Sequence, residues 1–231
     1  MAWLGPPDNA EGNPDSRGQT MIHCGDALEI LPTLAGGSVQ TVVTAPPFWP
    51  IVEYGGTLGR ESTPEEYIEH LVAIFRQVWR VTRPDATLWL NLGDSRTGGV
   101  VGMPYRVAFA LTDDGWLLAR EIILDYRNGP LDRLFLLAKD QHARYEPTGM
   151  TKSPVWAHKT VFTEARFEPM PQQFAARCIA SSTRVHDVVL DPFAGSGTTL
   201  VAAAELGRQF IGIEIDPSDV ELAEQRVAKV I

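Results

Sequence analysis

The stretch from residue 188 to residue 214 constrains the fold more than any other part of the chain. Val188-Val189-Leu190 is an apolar run of the kind that fills a buried strand. It leads into Asp191-Pro192-Phe193-Ala194-Gly195-Ser196-Gly197-Thr198-Thr199, where two glycines, one residue apart, permit a sharp turn. Apolar spacing then predicts a helix over 198–206, and 210–214 reads as a second strand ending in Glu214. Strand, glycine turn, helix and strand make a βαβ unit, which requires a parallel sheet with a helix packed on it. The helix N-terminus presents unpaired N–H groups, and the glycines let a ligand approach the backbone closely. Glu214, 23 positions after Asp191, is placed to accept hydrogen bonds from ribose hydroxyls. No Lys follows the second glycine, so this is not a P-loop, and the spacing is not GxGxxG. With an acid at its start, the turn suits a ligand carrying a charged amino-acid end rather than a pyrophosphate. A bare glycine turn can be purely structural; the flanking strand, helix and acid favour ligand binding.

The rest of the chain repeats this alternation. Strands are expected at 21–24, 39–44, 87–92, 116–124 and 134–138, with helices or turns at 27–34, 104–111, 171–180 and 217–230. The longest helix begins at Pro64, with Thr63 as its cap, Glu65 and Glu66 in its first turn, and Ile68, Leu71, Val72, Phe75, Val78 and Trp79 at helical spacing. Arg83-Pro84-Asp85 is expected to close it. Residues 139–168 lack periodicity and read as loop. Residues 1–19, rich in turn formers, read as a flexible N-terminal tail, leaving 20–231 as a single α/β domain. No apolar run approaches a membrane span, and the N-terminal residues lack the apolar core of a signal peptide. The two cysteines, Cys24 and Cys178, have no metal-ligand spacing and read as small buried hydrophobes of a cytoplasmic protein.

Taken together, these motifs resemble those of the S-adenosylmethionine-dependent amino-methyltransferases of DNA. The family's cofactor loop, DPFxGSGTT, is present as Asp191, Pro192, Phe193, Ala194, Gly195, Ser196, Gly197, Thr198 and Thr199. Ile211-Gly212-Ile213-Glu214 resembles its ribose-binding strand, and His23-Cys24-Gly25-Asp26-Ala27-Leu28 the segment whose acid contacts the cofactor adenine. The resemblance runs from about residue 20 to 230. It implies a three-layer Rossmann-like methyltransferase fold with a mostly parallel seven-stranded sheet. It also implies S-adenosylmethionine as cofactor, held by Asp26, Ala27, the 191–198 loop and Glu214.

Thr44-Ala45-Pro46-Pro47-Phe48 resembles the catalytic motif of the family, an Asp, Asn or Ser before Pro-Pro and an aromatic residue. An exocyclic base amine is a poor nucleophile because its lone pair is conjugated into the ring. Hydrogen-bond acceptors on its two protons favour the pyramidal form that attacks a methyl group. The residue before the prolines supplies one acceptor, and a main-chain carbonyl held rigid by the prolines supplies the other. Phe48 keeps the face that stacks on a flipped base. Ala45 departs from the pattern, since it has no acceptor; a water or the Thr44 hydroxyl is a candidate substitute. The consequences left open are a working enzyme, a weak one, or an inactivated cofactor- and DNA-binding homologue. An RNA or small-molecule amine methyltransferase is a further rival.

The catalytic motif precedes the cofactor loop, which is the family's permuted beta order. Thr44 followed by a small residue resembles the Thr-Ser-Pro-Pro-Tyr form of N4-cytosine enzymes, so cytosine N4 is favoured over adenine N6. Cytosine carbon-5 is disfavoured, since neither cysteine follows a proline. Leu88-Trp89-Leu90-Asn91-Leu92-Gly93-Asp94 resembles the family strand whose end faces the target base, with Asp94 either touching that base or capping a helix. Phe167 and Met170 are expected beside the cofactor or in the core. The net charge of −9 argues at first against nucleic acid, but residues 1–60 carry two basic against six acidic side chains and 181–231 four against eight. The segment 126–166 carries Arg127, Arg133, Lys139, Arg144, Lys152, Lys159 and Arg166 against four acids, and is expected to face DNA. The implied partner is double-stranded DNA with a flipped base; a homodimer and a cognate restriction endonuclease stay open.

Overall fold

The β-branched run at 39–44 becomes the centre of one sheet. In a computed structural model that describes residues 20–50, 56–94, 100–126, 131–146, 154–158 and 170–231, it is β2 (Val39–Thr44), buried along its whole length. The other strands are β1 (Met21–Cys24), β3 (Thr82–Leu92), β4 (Leu117–Asp125), β5 (Leu131–Ala138), β6 (Val155–Ala157), β7 (Val188–Asp191) and β8 (Gln209–Glu214). Their order is β1-β8-β7-β2-β3-β5-β4-β6. Pairings from β1 through β3 are parallel, β5 is antiparallel to both β3 and β4, and β6 lies parallel to β4. The parallel strands therefore all end at one edge, bringing Cys24, Glu214, Asp191, Thr44 and Leu92 to the same side.

The sheet has eight strands rather than seven. The additional strand, β6, lies in the stretch read from sequence as loop. Three residues, Val155-Trp156-Ala157, are too few to display a period, and the strand exists because it pairs with β4 at Ile123, Leu124 and Asp125. The Arg83-Pro84-Asp85 stop also needs correction. The helix does end, at Val81, but β3 begins at once. Val39 pairs with Thr82 and Thr41 with Thr87, so the residues between Thr82 and Thr87 bulge out of the ladder, which accommodates a proline without an N–H.

The helices are α1 (Ala27–Ile30), α2 (Pro64–Val81), α3 (Met103–Asp113), α4 (Gln172–Ser182), α5 (Thr198–Glu205) and α6 (Pro217–Val227). Thr63 caps α2 by accepting from the Glu66 N–H, as the sequence predicts. Alternation along the strands divides the core in two. Val42, Leu88, Leu90 and Phe135 pack against α1, α2 and α3. Val43, Trp89, Leu134, Leu136 and Val189 pack against α4 and α5, where the Trp89 indole donates to Ser182 Oγ at 2.9 Å. Three layers result. Gly212 is what lets α5 lie close to β8, since a Cβ there would stand 2.5 Å from Leu200. Cys178 is buried in the second core, but Cys24 is exposed, so only one cysteine behaves as a buried hydrophobe.

Candidate active site at the carboxyl edge of the sheet

The glycine turn links β7 to α5. Gly195 and Gly197 have φ of 50° and 82°, in the left-handed region that favours glycine. A Cβ on Gly197 would sit 2.8 Å from the Ala223 Cβ, whereas one on Gly195 would meet nothing within 4 Å. The turn thus presses on α6 from one side and is open at Gly195. Two acids define its electrostatics. Asp191 Oδ1 accepts from Thr44 Oγ1 at 2.7 Å and from the Phe193 N–H at 3.1 Å. Burial pushes its carboxyl up to about 6; the Thr44 and Thr199 hydroxyls and the Phe193 N–H pull it back, and the nearby Glu214 charge adds to the rise. Glu214 Oε2 accepts from the Gly195 N–H at 2.8 Å and Oε1 from the Asp216 N–H at 2.9 Å. Burial raises this carboxyl too, against the same N–H groups.

Asp26 lies at the adjacent strand end, where the Gly25 N–H donates to the Glu214 carbonyl at 2.9 Å. Its Oδ1 caps α1 through the Leu28 N–H at 2.7 Å, with Ala27 buried behind it. The proline motif leaves β2 beside this turn. Ala45 lines one recess with Asp191, Phe193, Ala194, Thr198, Thr199 and Met170. Residues 45 and 191–199, far apart in sequence, are therefore one site. Met170 lines it and is also part of the α4–α5 core; Phe167 lies outside the described residues.

Some expectations fail. The Thr44 hydroxyl, a candidate substitute acceptor, is fully buried and donates to Asp191, so it is committed to the cofactor turn. Asp94, in contrast, takes the capping alternative of its two readings: it accepts from the N–H groups of Val101, Gly102 and Met103 and anchors the α3 N-terminus. Phe48 is only 5% exposed, its ring packed where a Gly93 Cβ would be 2.6 Å from Cε2. The basic side chains of 126–166 among the described residues do not share one face. Lys139 Nζ donates to the Trp79 and Thr82 carbonyls at the opposite edge of the sheet, at 2.7 and 2.8 Å. Arg144 pairs there with Asp187 and Asp85. Arg133 stays at the carboxyl edge, bonded to Tyr105 and paired with Glu121. Arg127, Lys152, Lys159 and Arg166 lie outside the described residues, as does the tail 1–19.

Two supporting residues escaped the sequence reading. Arg226 on α6 donates from one guanidinium nitrogen to Ser196 carbonyl and Oγ, both at 2.7 Å, and so pins the glycine turn from behind. Tyr67 on α2, fully buried, donates its hydroxyl to the Pro47 carbonyl at 2.8 Å and fixes the proline pair. Each sits on a helical face that sequence assigns simply to surface or core.

A sequence profile of DNA methylases matches residues 39–160 and 133–225. The chain is 36% identical to the Type II methyltransferase M.XycI of Xanthomonas campestris pv. cyanopsidis, over 91% of this chain and 88% of the relative. It is 34% identical to the Type II methyltransferase M.SmaI of Serratia marcescens, over 90% of each. Among solved structures, a DNA modification methylase of Thermus thermophilus, in complex with S-adenosyl-L-methionine, superposes with a TM-score of 0.74 at 28% identity, over 91% of this chain and 93% of that one. The PvuII DNA methyltransferase, cytosine-N4-specific, shares the fold at a TM-score of 0.75 and 20% identity, over 89% and 85% of the two chains. The recess at the carboxyl edge, the family profile and the relatives agree, and the chain belongs to the N6/N4 DNA methylase family.

Proposed function

We propose that this protein transfers a methyl group from S-adenosylmethionine directly to an exocyclic base amine in double-stranded DNA, the N4 amine of cytosine. The observation that carries this reading is the shared recess, in which Ala45 of the proline motif meets the glycine turn and the Thr44–Asp191 hydrogen bond ties the two together. The residues fit the cofactor. Asp191 and Glu214 are acids whose charge burial disfavours, and a cationic ligand relieves that cost. Bound there, S-adenosylmethionine supplies a methyl group activated by its sulfonium. Asp191 faces its ammonium end, Glu214 its ribose, and Asp26 its adenine. The turn 191–198, with Ala27 beneath Asp26, gives the backbone its close approach.

Pro46 and Pro47 hold the motif's carbonyls in fixed directions, and Tyr67 locks the second of them. A base entering beside Gly93 meets the Phe48 ring. The amine nitrogen forms the new N–C bond as the methyl–sulfur bond breaks with its electron pair going to sulfur, and one amine proton leaves to water. The choice of cytosine is supported by Thr44-Ala45, which lacks the carboxylate of the adenine form of the motif. Ala45 also carries the second reading, a cofactor- and DNA-binding homologue without turnover. Incubation with methyl-tritiated cofactor, unmethylated double-stranded DNA and ribosomal RNA in competition tests both. Label in the DNA is expected; label in RNA alone, or none despite cofactor binding by calorimetry, contradicts the reading.

A further inference from the structure

Asn91 of β3 is fully buried, and neither its Oδ1 nor its Nδ2 has a hydrogen-bond partner among the described residues. A buried carboxamide unpaired at both ends is costly and has no packing advantage over an apolar side chain. Its place in the sheet is specific. Asn91 pairs with Leu134 across β3 and β5, and Leu134 and Trp89 both pack into the α4–α5 core, so alternation turns Asn91 to that same face. On its other side β3 runs parallel to β2, with Thr44 opposite Leu90. Continued one residue past the end of β2, that register would set Ala45 opposite Asn91. Ala45 opens to the same layer, in the recess with Met170, Ala194 and Thr199. Two residues beyond Asn91, about 7 Å along the strand, the Phe48 ring fills the space at Gly93. An orphaned amide thus lies on the strand that neighbours the end of β2, where the motif lacks an acceptor.

We propose that Asn91 supplies the acceptor missing at Ala45 and is a catalytic residue for the methyl transfer. This rests on the amino-methyltransferase reading above. Oδ1 accepts from one proton of the exocyclic amine, and Nδ2 donates to the ring nitrogen beside it. An amine next to a ring acceptor is the edge cytosine presents at N4 and N3, and a carboxamide matches it with two hydrogen bonds. The carboxamide orients the amine proton without removing it. As the N–C bond forms and the methyl–sulfur bond breaks, that proton departs to water. The small side chain at 45 leaves the approach to the neighbouring strand open.

The test is Asn91→Leu, which has the same branching and number of side-chain heavy atoms, is somewhat larger, and carries no polar atoms. It is expected to raise Tm by removing two orphaned polar atoms and to leave cofactor affinity within about twofold, while single-turnover methyl transfer to DNA falls about 10²–10³-fold. A merely structural asparagine predicts the same Tm gain with no loss of rate. Adding Ala45→Asn to Asn91→Leu returns an acceptor to the neighbouring strand and is expected to recover part of the rate. If Asn91→Leu is insoluble, Asn91→Ala is read for the same split between rate and cofactor affinity. Transfer within about threefold of wild type, or a loss matched by weaker cofactor binding, overturns the proposal. So does a large loss with Asp132→Asn, at the buried β5 acid whose Oδ1 would lie 2.9 Å from a Cβ on Gly93, when Asn91→Leu shows none, since that places the acceptor on β5. A wild-type protein with no transfer to DNA overturns the methyltransferase reading and this one with it, whereas an active wild type with an equally active Asn91→Leu overturns this one alone.

Discussion

The two halves of the active site are built differently. The glycine turn concentrates most of its polar groups in nine consecutive residues plus Glu214, with Arg226 of α6 and Thr44 of β2 bracing it from outside. The proline motif is incomplete in its own five residues. Its rigidity is completed by Tyr67 from α2, its ring is seated by Gly93, and the acceptor it lacks is the role proposed for Asn91 on β3. A site made from one segment tolerates little change within that segment. A site made across strands can lose a residue in the motif and regain its function from a neighbour.

The contrast predicts that substitutions separate into those felt by cofactor affinity and those felt by rate. After the loss of rate expected for Asn91→Leu, the next largest effect is expected from Asp191→Asn. It keeps an acceptor for Thr44 but removes the charge facing the ammonium, and calorimetry should show cofactor affinity weaker by about 10- to 100-fold. An unchanged affinity would break the assignment of Asp191. Gly197→Ala comes next. The left-handed φ and the approach to Ala223 both oppose a Cβ, and unfolding measurements should show a loss of about 1–3 kcal/mol.

Acidification gives a smaller, graded effect with a definite sign. In the folded, cofactor-free protein Asp191 titrates at about 6, above its ordinary 3.8. The folded state therefore holds a proton that the unfolded state releases between these values. This group's stability contribution is fully present below the lower value and is lost as pH rises through about 6. Cofactor affinity runs the other way, since the ammonium needs the ionised form. It should be flat above pH 6 and fall by up to about tenfold per unit below it, with Asp191→Asn showing a flatter profile. Stability of the cofactor-free wild type, measured relative to Asp191→Asn, should improve over the same acidification. The smallest effect belongs to Tyr67→Phe. Loss of one neutral hydrogen bond to the Pro47 carbonyl should slow transfer about 3- to 10-fold and leave cofactor affinity unchanged. An affinity change there would mean that the two halves of the site are not separable.

The same contrast explains what could be read from the sequence. The βαβ unit at 188–214 and the strand at 39–44 were legible because burial, period and turn chemistry all lie within each segment. The glycine turn between β7 and α5 was legible for the same reason. The strand β6 was not, because three residues stabilised by pairing with a distant strand leave no local pattern. Thr44 and Lys139 were misread in one direction, as groups available to substrate or DNA, because a side chain's partner across the sheet or at a helix end is a tertiary fact. Asn91 lay in a strand quoted for its resemblance. Its significance depends on its being buried, unpaired and on the strand beside the end of β2, three properties that appear only when β2 and β3 are side by side.

The central claim is that a base amine meets the cofactor methyl in the recess between Ala45 and the glycine turn. Deuterated-methyl cofactor, unmethylated double-stranded DNA and mass spectrometry of the digested product test it directly, since the modified base identifies the attacking nitrogen. Labelled N4-methylcytosine from the wild type, strongly diminished with Asn91→Leu, is the expected result. Labelled N6-methyladenine would correct the target, and DNA carrying no labelled amine would contradict the account.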